Sequence, residues 1–196
     1  MSYTPAYESA VNHAMLYEVG AAWNLNNPGA KEGWIDTLEH RKACGYVNDS
    51  TDRGGETKYG VAKNANPDLN ITTLDWEGAK RIYYKRYWLQ GDCQVMPGRL
   101  AALHFDICVN HGIGRAAKFL QRAVGAEADG DIGPATLALV SKFDEFDICR
   151  NICDQREAFY ATIIQNNPSQ IKYQKGWTRR ANDLRNFATN PANTFQ

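Results

Sequence analysis

Two groups of residues in this 196-residue sequence have the types and spacing for hydrolytic chemistry. The first is a single carboxylate. Tyr7, Val11, Ala14, Met15 and Glu18 recur at three- and four-residue steps, the period of one helix face, and predict a helix over Pro5–Val19 that stops at Gly20. Four of these side chains suit an apolar stripe, and Glu18 does not. A carboxyl group held on such a stripe is partly desolvated, which favours the protonated form that can donate a proton. The plain alternative is a glutamate at the core edge paired with an arginine.

The second group is Gly45-Tyr-Val-Asn-Asp-Ser-Thr-Asp-Arg-Gly-Gly-Glu-Thr-Lys-Tyr-Gly60, which gathers Asp49, Asp52, Glu56 and Thr57 into a glycine-bearing loop. Gly54 and Gly55 allow backbone and ligand to approach closely, and a hydroxyl beside a carboxylate can orient a water. A structural Asx-turn loop is the plain alternative. The acidic spacing does not fit a calcium loop. One protonated acid facing a second polar group is the equipment for breaking a glycosidic bond.

Other constellations are weaker. His104, Asp106 and His111 fall in an apolar helix and its exit, where a satisfied core network is expected in place of metal ligation. Gly112-Ile-Gly-Arg115 has no strand before it and no Gly-Lys-Ser/Thr after it, so it is a poor phosphate loop. No serine or cysteine comes with a convincing histidine and carboxylate set for acyl transfer. Neither a metal nor a cofactor is expected.

The elements that must position these residues are mostly helical. Ala21 to Lys42 reads as irregular, with Asn24–Gly29 a loop and a short helix over Gly33–Lys42. Residues 46–61 read as turns with at most a small hairpin. A helix begins near Thr73-Leu-Asp-Trp-Glu77, with Thr73 as its cap, and runs to Trp88. After Met96-Pro-Gly98, helices are predicted over 100–109, 113–124, 134–143, 146–165 and 176–187. The expected organisation is residues 1–97 and 98–196.

Composition narrows the partners. Basic and acidic residues balance at 22 each, which gives no electrostatic case for nucleic acid or an anionic membrane. No apolar run is long enough to span a bilayer, and no signal segment opens the chain, so no membrane insertion is expected. The five cysteines are odd in number and lack a CxxC spacing. Free thiols and folding in a reducing cytoplasm are expected. The ten Tyr, seven Phe and five Trp are mainly core material, although aromatic faces also suit sugar rings.

These motifs, taken in order, resemble glycoside hydrolase family 108, the N-acetylmuramidases with a C-terminal predicted peptidoglycan-binding region. The resemblance spans roughly residues 5–188. It is carried by Gly45-Tyr-Val-Asn-Asp49, Asp52-Arg-Gly-Gly-Glu-Thr-Lys-Tyr-Gly-Val61 and Ile82-Tyr-Tyr-Lys-Arg-Tyr-Trp88. Phe105-Asp-Ile-Cys-Val-Asn-His-Gly112, Leu120-Gln-Arg-Ala-Val-Gly125, Asp129-Gly-Asp-Ile-Gly-Pro-Ala-Thr136 and Gly176-Trp-Thr-Arg-Arg180 continue it. The family's acid stands in Glu-Gly-Gly-Tyr, whereas Ala43-Cys44 precede Gly45-Tyr46 here. A contiguous reading puts Ala43 at the acid position and implies an inactive protein. A split reading puts Glu18 there, with residues 21–44 as an inserted loop. The split is preferred, because Glu18 has the right phase on the right kind of helix.

The resemblance implies a mainly α, lysozyme-like bilobal helical fold with a small irregular or β element near residues 46–61. Residues 1–97 would be the catalytic lobe, and 98–196 a helical, predicted peptidoglycan-binding lobe. It implies hydrolysis of the β-1,4 bond between N-acetylmuramic acid and N-acetylglucosamine in peptidoglycan. Glu18 would be the acid, Asp52 and Thr57 would complete the catalytic set, and Tyr46, Tyr59 and Asn110 are candidates for substrate binding. A monomeric bacteriophage endolysin is expected, made in the host cytoplasm and acting on the wall in the periplasm after holin-type release, or carried in a virion. A lytic transglycosylase and a non-catalytic wall-binding protein of the same fold are the rival readings.

Overall fold

The computed structural model describes residues 2–49 and 54–195. Its chain forms two compact units: residues 11–85 form one, and those up to Ala10 with those from Arg86 onward form the other. Among the described residues the fold is mainly α, with one two-stranded sheet.

Helix α1 (Pro5–Glu18), which enters the smaller unit at Val11, presents Val11, Ala14 and Met15 there as fully buried side chains. Helix α2 (Pro28–Glu32) starts inside the stretch predicted to be a loop. Asn27 caps it by accepting from Gly29 N, Pro28 supplies a preset φ at the first position, and Gly33 closes it with a left-handed φ of +72°. Thr37 caps α3 (Leu38–Ala43) by accepting from His40 N at 3.0 Å. The antiparallel strands β1 (Thr57–Lys58) and β2 (Val61–Ala62) pair Thr57 with Ala62 and Lys58 with Val61, and Val47 bridges to Thr57. Lys58 is fully buried, and its ammonium donates to Thr72 O at 2.8 Å, tying the hairpin to the 70–74 segment.

Helix α4 (Trp76–Tyr83) is capped by Asp75 and not by Thr73. Asp75 Oδ1 accepts from Gly78 N at 2.7 Å, while the Thr73 hydroxyl donates backwards to Asn70 O. A carboxylate at a helix N-terminus also meets the positive end of the macrodipole, which a hydroxyl cannot match. The helix passes into a π-helical turn at Tyr84–Leu89.

The larger unit is built round α5 (Gly98–His111), in which every residue from Arg99 to Cys108 is buried. A helix enclosed on all sides must be apolar all round or satisfy its polar groups locally. Arg99 donates to the carbonyls of Ala188, Asn190 and Asn193, fastening the C-terminal segment. Around it stand α6 (Ile113–Ala123), α7 (Pro134–Val140), α8 (Glu145–Asn166) and α9 (Gln174–Thr189). Asp106 is 1% exposed and lies between the guanidinium groups of Arg156 (3.3 Å) and Arg180 (3.1 Å). Arg156 donates onward to the Tyr160 hydroxyl, which lies 3.2 Å from His111 Nε2. Asp106 and His111 are thus joined through one buried network. His104 is buried apart from it.

All five cysteines are free and buried. Among the described residues, no helix is long and apolar enough to cross a membrane.

Candidate active site

The hairpin turn lies beside Glu18 and directly follows the strand that carries Thr57. Tyr59 and Gly60 join β1 to β2 with φ of +52° and +72°, the paired left-handed conformation of a type I′ turn. Glycine is at home there, but tyrosine is not, and the left-handed region costs a side-chain-bearing residue on the order of 1 kcal/mol. Tyr59 is held in place by tertiary contacts. Its hydroxyl donates to Ala30 O at 2.8 Å, its ring meets Trp23 and Trp76 edge-on or tilted, and its carbonyl accepts from the Tyr83 hydroxyl at 2.9 Å.

That turn lies against the last residue of α1. A methyl group added to Gly60 would sit 3.1 Å from Glu18 Oε2, 3.2 Å from Glu18 Cβ and 2.6 Å from the Tyr83 hydroxyl. Glu18 is half-buried, so its carboxyl group combines a packed position with access to solvent. A side chain at Gly45, where φ is +63°, would likewise press on Val19, 3.3 Å from its Cα. The ends of the 21–44 segment therefore meet in space, with Val19 beside Gly45. Ala43, the alternative acid position, is 1% exposed and carries no functional group.

Thr57 stands on β1, two residues before the turn. Its hydroxyl donates to Gly55 O at 3.1 Å, which leaves the oxygen lone pairs as acceptors. The Tyr46 hydroxyl donates to Glu56 Oε1 at 2.7 Å, and this bond, more than burial, pushes the Tyr46 phenol above its ordinary range. Tyr46 is half-buried. Tyr59, a candidate for substrate binding, has a fully buried side chain whose hydroxyl donates to Ala30 O. Asn110 is exposed near the end of α5, in the other unit. Asp52 lies outside the described residues.

Residue types alone did not single out Gly60 or Tyr83. Gly60 had a usable signal, since a glycine two residues after Thr57-Lys58 and before Val61 fits a tight hairpin. Tyr83 had none, because its role depends on the packing of α4 against the turn. In the same unit an open depression of about 580 Å³ is lined by Glu32–Asp36 and Thr72–Thr73, and Glu18 is not among its walls. Among the described residues, no group of three or more His, Cys, Asp or Glu side chains is arranged to hold a metal.

Comparison with known families decides the class. Residues 31–112 match the glycosyl hydrolase 108 family, and residues 115–182 match the family described as Predicted Peptidoglycan domain. The chain carries a glycosyl hydrolase 108 domain. It is a glycoside hydrolase, and its C-terminal domain is directed at peptidoglycan. The first match begins at residue 31, so Glu18 precedes it. Among solved structures, the chain is similar to that of Brucella abortus SagA, with 28% identity over 75% of this chain and 88% of that one and a TM-score of 0.62. No curated protein matches at a significant level.

Proposed function

We propose that this glycoside hydrolase cleaves the β-1,4 bond between N-acetylmuramic acid and N-acetylglucosamine, with Glu18 protonating the leaving oxygen. The observation that carries the reading is the packing of Glu18 against Gly60 of the hairpin turn, with the next residue, Val19, against Gly45. A general acid must be held at one place and still reach the scissile oxygen. A half-buried carboxyl group at a rigid turn meets both needs.

The opposite face of the sugar requires a water or a nucleophile. Thr57, with lone pairs free to accept, is suited to hold a water, and Asp52 joins it in this proposal on the strength of the Asp-x-Gly-Gly motif alone. Direct attack by that water inverts the anomeric centre and needs carboxyl groups roughly 6.5–9.5 Å apart, against roughly 5–5.5 Å for a covalent route. A bacteriophage endolysin is the setting proposed, and five reduced, buried cysteines suit a chain folded in a reducing compartment before release.

The test is Glu18→Gln on purified sacculi, with products read by mass spectrometry and NMR. Wild-type protein should release reducing muropeptides with the inverted anomer formed first, and the variant should lose about a hundredfold or more. Anhydro-sugar products would mean a lytic transglycosylase. A variant retaining more than about a tenth of the wild-type rate would remove Glu18 from the role. Wild-type protein that binds sacculi without cutting them would leave a wall-binding protein.

A further inference from the structure

The Predicted Peptidoglycan domain has a groove whose chemistry is not that of a sugar site. Its volume is about 460 Å³, and Arg115, Lys118 and Arg122 from α6 line it together with Phe119, Phe159 and Asp129. The three cations fall at steps of three and four residues, so they share one face of α6. Among the described residues none of the three has an ion pair or hydrogen-bond partner, although six other basic side chains of this unit do: Arg99, Arg150, Arg156, Arg179, Arg180 and Arg185.

The groove is built, not merely charged. Arg115 is stacked over the Phe159 ring at 4.2 Å, which restricts its rotamers before any ligand arrives. Phe159 remains half-exposed beside buried Phe119. The far wall is the 129–133 loop, fixed to α6 by one side chain. Gln121, 1% exposed, donates to Asp129 Oδ1 at 2.6 Å and to Asp131 O at 2.9 Å, and accepts from Gly130 N at 2.9 Å. The single acidic group in the groove is therefore already committed. The Asp131 N–H and the Gln121 amide hold its carboxyl group below the usual carboxylate range. Gly130 lets Lys118 lie close, since a methyl group there would come within 3.2 Å of Lys118 Cε.

Three free cations beside an aromatic floor fit a ligand with several carboxylates on a short aliphatic frame. We propose that this groove binds the carboxylate-bearing stem peptide of peptidoglycan, and not its neutral N-acetylated glycan. The inference rests on the domain's peptidoglycan assignment and is independent of the Glu18 chemistry.

The test uses the full-length protein and three soluble probes: a synthetic stem tetrapeptide with free carboxylates, the same peptide fully amidated, and a peptide-free N-acetylated glycan oligomer. Calorimetry and NMR shifts should show the acidic peptide binding in a salt-sensitive way, with shifts at Phe159. Amidation should weaken it by about tenfold or more, as expected when charge-assisted bonds are lost. Lys118→Gln with Arg122→Gln, both on the accessible face, should weaken the acidic peptide to a similar extent without changing Tm, and Arg122→Lys should retain most of the affinity. Unchanged peptide affinity in the double variant, or equal affinity for the amidated peptide, overturns the proposal. So does glycan binding in the groove in place of peptide. Cleavage of intact sacculi by wild-type and Glu18→Gln protein is measured alongside: equal rates in the two would sink the Glu18 reading and leave the groove assignment standing.

Discussion

Gly60 and Glu18 are packed so closely that the hairpin turn has no room for a side chain: a methyl group on Gly60 would come within 3.1 Å of Glu18 Oε2 and 2.6 Å of the Tyr83 hydroxyl. The turn needs glycine twice over, once for its φ of +72° and once for this contact. Gly60→Ala should cost about 1–3 kcal/mol in stability from backbone strain. Activity should fall further than folding does. Displacing a catalytic group by about 1 Å can cost about a hundredfold. Turnover on sacculi at a temperature where the variant remains folded separates the two losses, and a variant that cuts normally would detach the turn from the chemistry.

Tyr83 supports the turn from below. Its hydroxyl donates to the carbonyl of Tyr59, whose own backbone is in the left-handed region. Tyr83→Phe keeps the ring and removes the donor, leaving a buried carbonyl short of a partner at a cost of about 1–3 kcal/mol. Urea denaturation should register that loss with an unchanged m-value. Cleavage should slow as well, since the same hydroxyl lies beside Gly60 near Glu18.

In the larger unit the most exacting element is Asp106. Two guanidinium groups converge on this one carboxylate, and it is almost wholly buried. Asp106→Asn conserves shape but leaves Arg156 and Arg180 facing each other without their counter-charge. Breaking a buried ion pair in this way costs about 3–5 kcal/mol. A drop of less than about 1 kcal/mol in denaturant unfolding would show that water already screens the cluster.

Acid should loosen the same unit through His111. Burial, reinforced by the positive charges of Arg156, Arg115 and Arg180 and only partly opposed by Asp106, lowers the His111 imidazole to about 3. The unfolded chain takes up a proton on this group near its ordinary value of 6.5, whereas the folded protein does not. Stability is therefore full above about 6.5 and falls as pH drops toward 3, with a slope of at most about 1.4 kcal/mol per pH unit from this residue. His111→Gln should flatten the Tm-versus-pH curve between pH 6 and 4. An unchanged slope would mean that the imidazole protonates freely in the native state.

The sequence by itself determined the helical framework. The stripe of Tyr7, Val11, Ala14 and Met15 and the strongly apolar stretch from Leu100 to Val109 are local patterns, and each became a helix because the period of burial matches the period of the backbone. It also singled out Glu18 as a carboxylate on an apolar stripe and Thr57 within a glycine-bearing loop. What it misplaced was local competition between caps: Asp75 displaced Thr73, and Asn27-Pro28 started a helix inside a supposed loop. Only the tertiary structure decided what lies beside Glu18. Val19 and Gly45 are separated by more than twenty positions along the chain, as are Tyr59 and Tyr83, and no periodicity carries information across such distances. Their meeting depends on where the 21–44 segment closes and on how α4 packs under the hairpin. The strained backbone of Tyr59 has the same origin: a residue that disfavours the left-handed region is kept there by a buried hydrogen bond to Ala30 and the rings of Trp23 and Trp76, contacts that exist only in the folded chain.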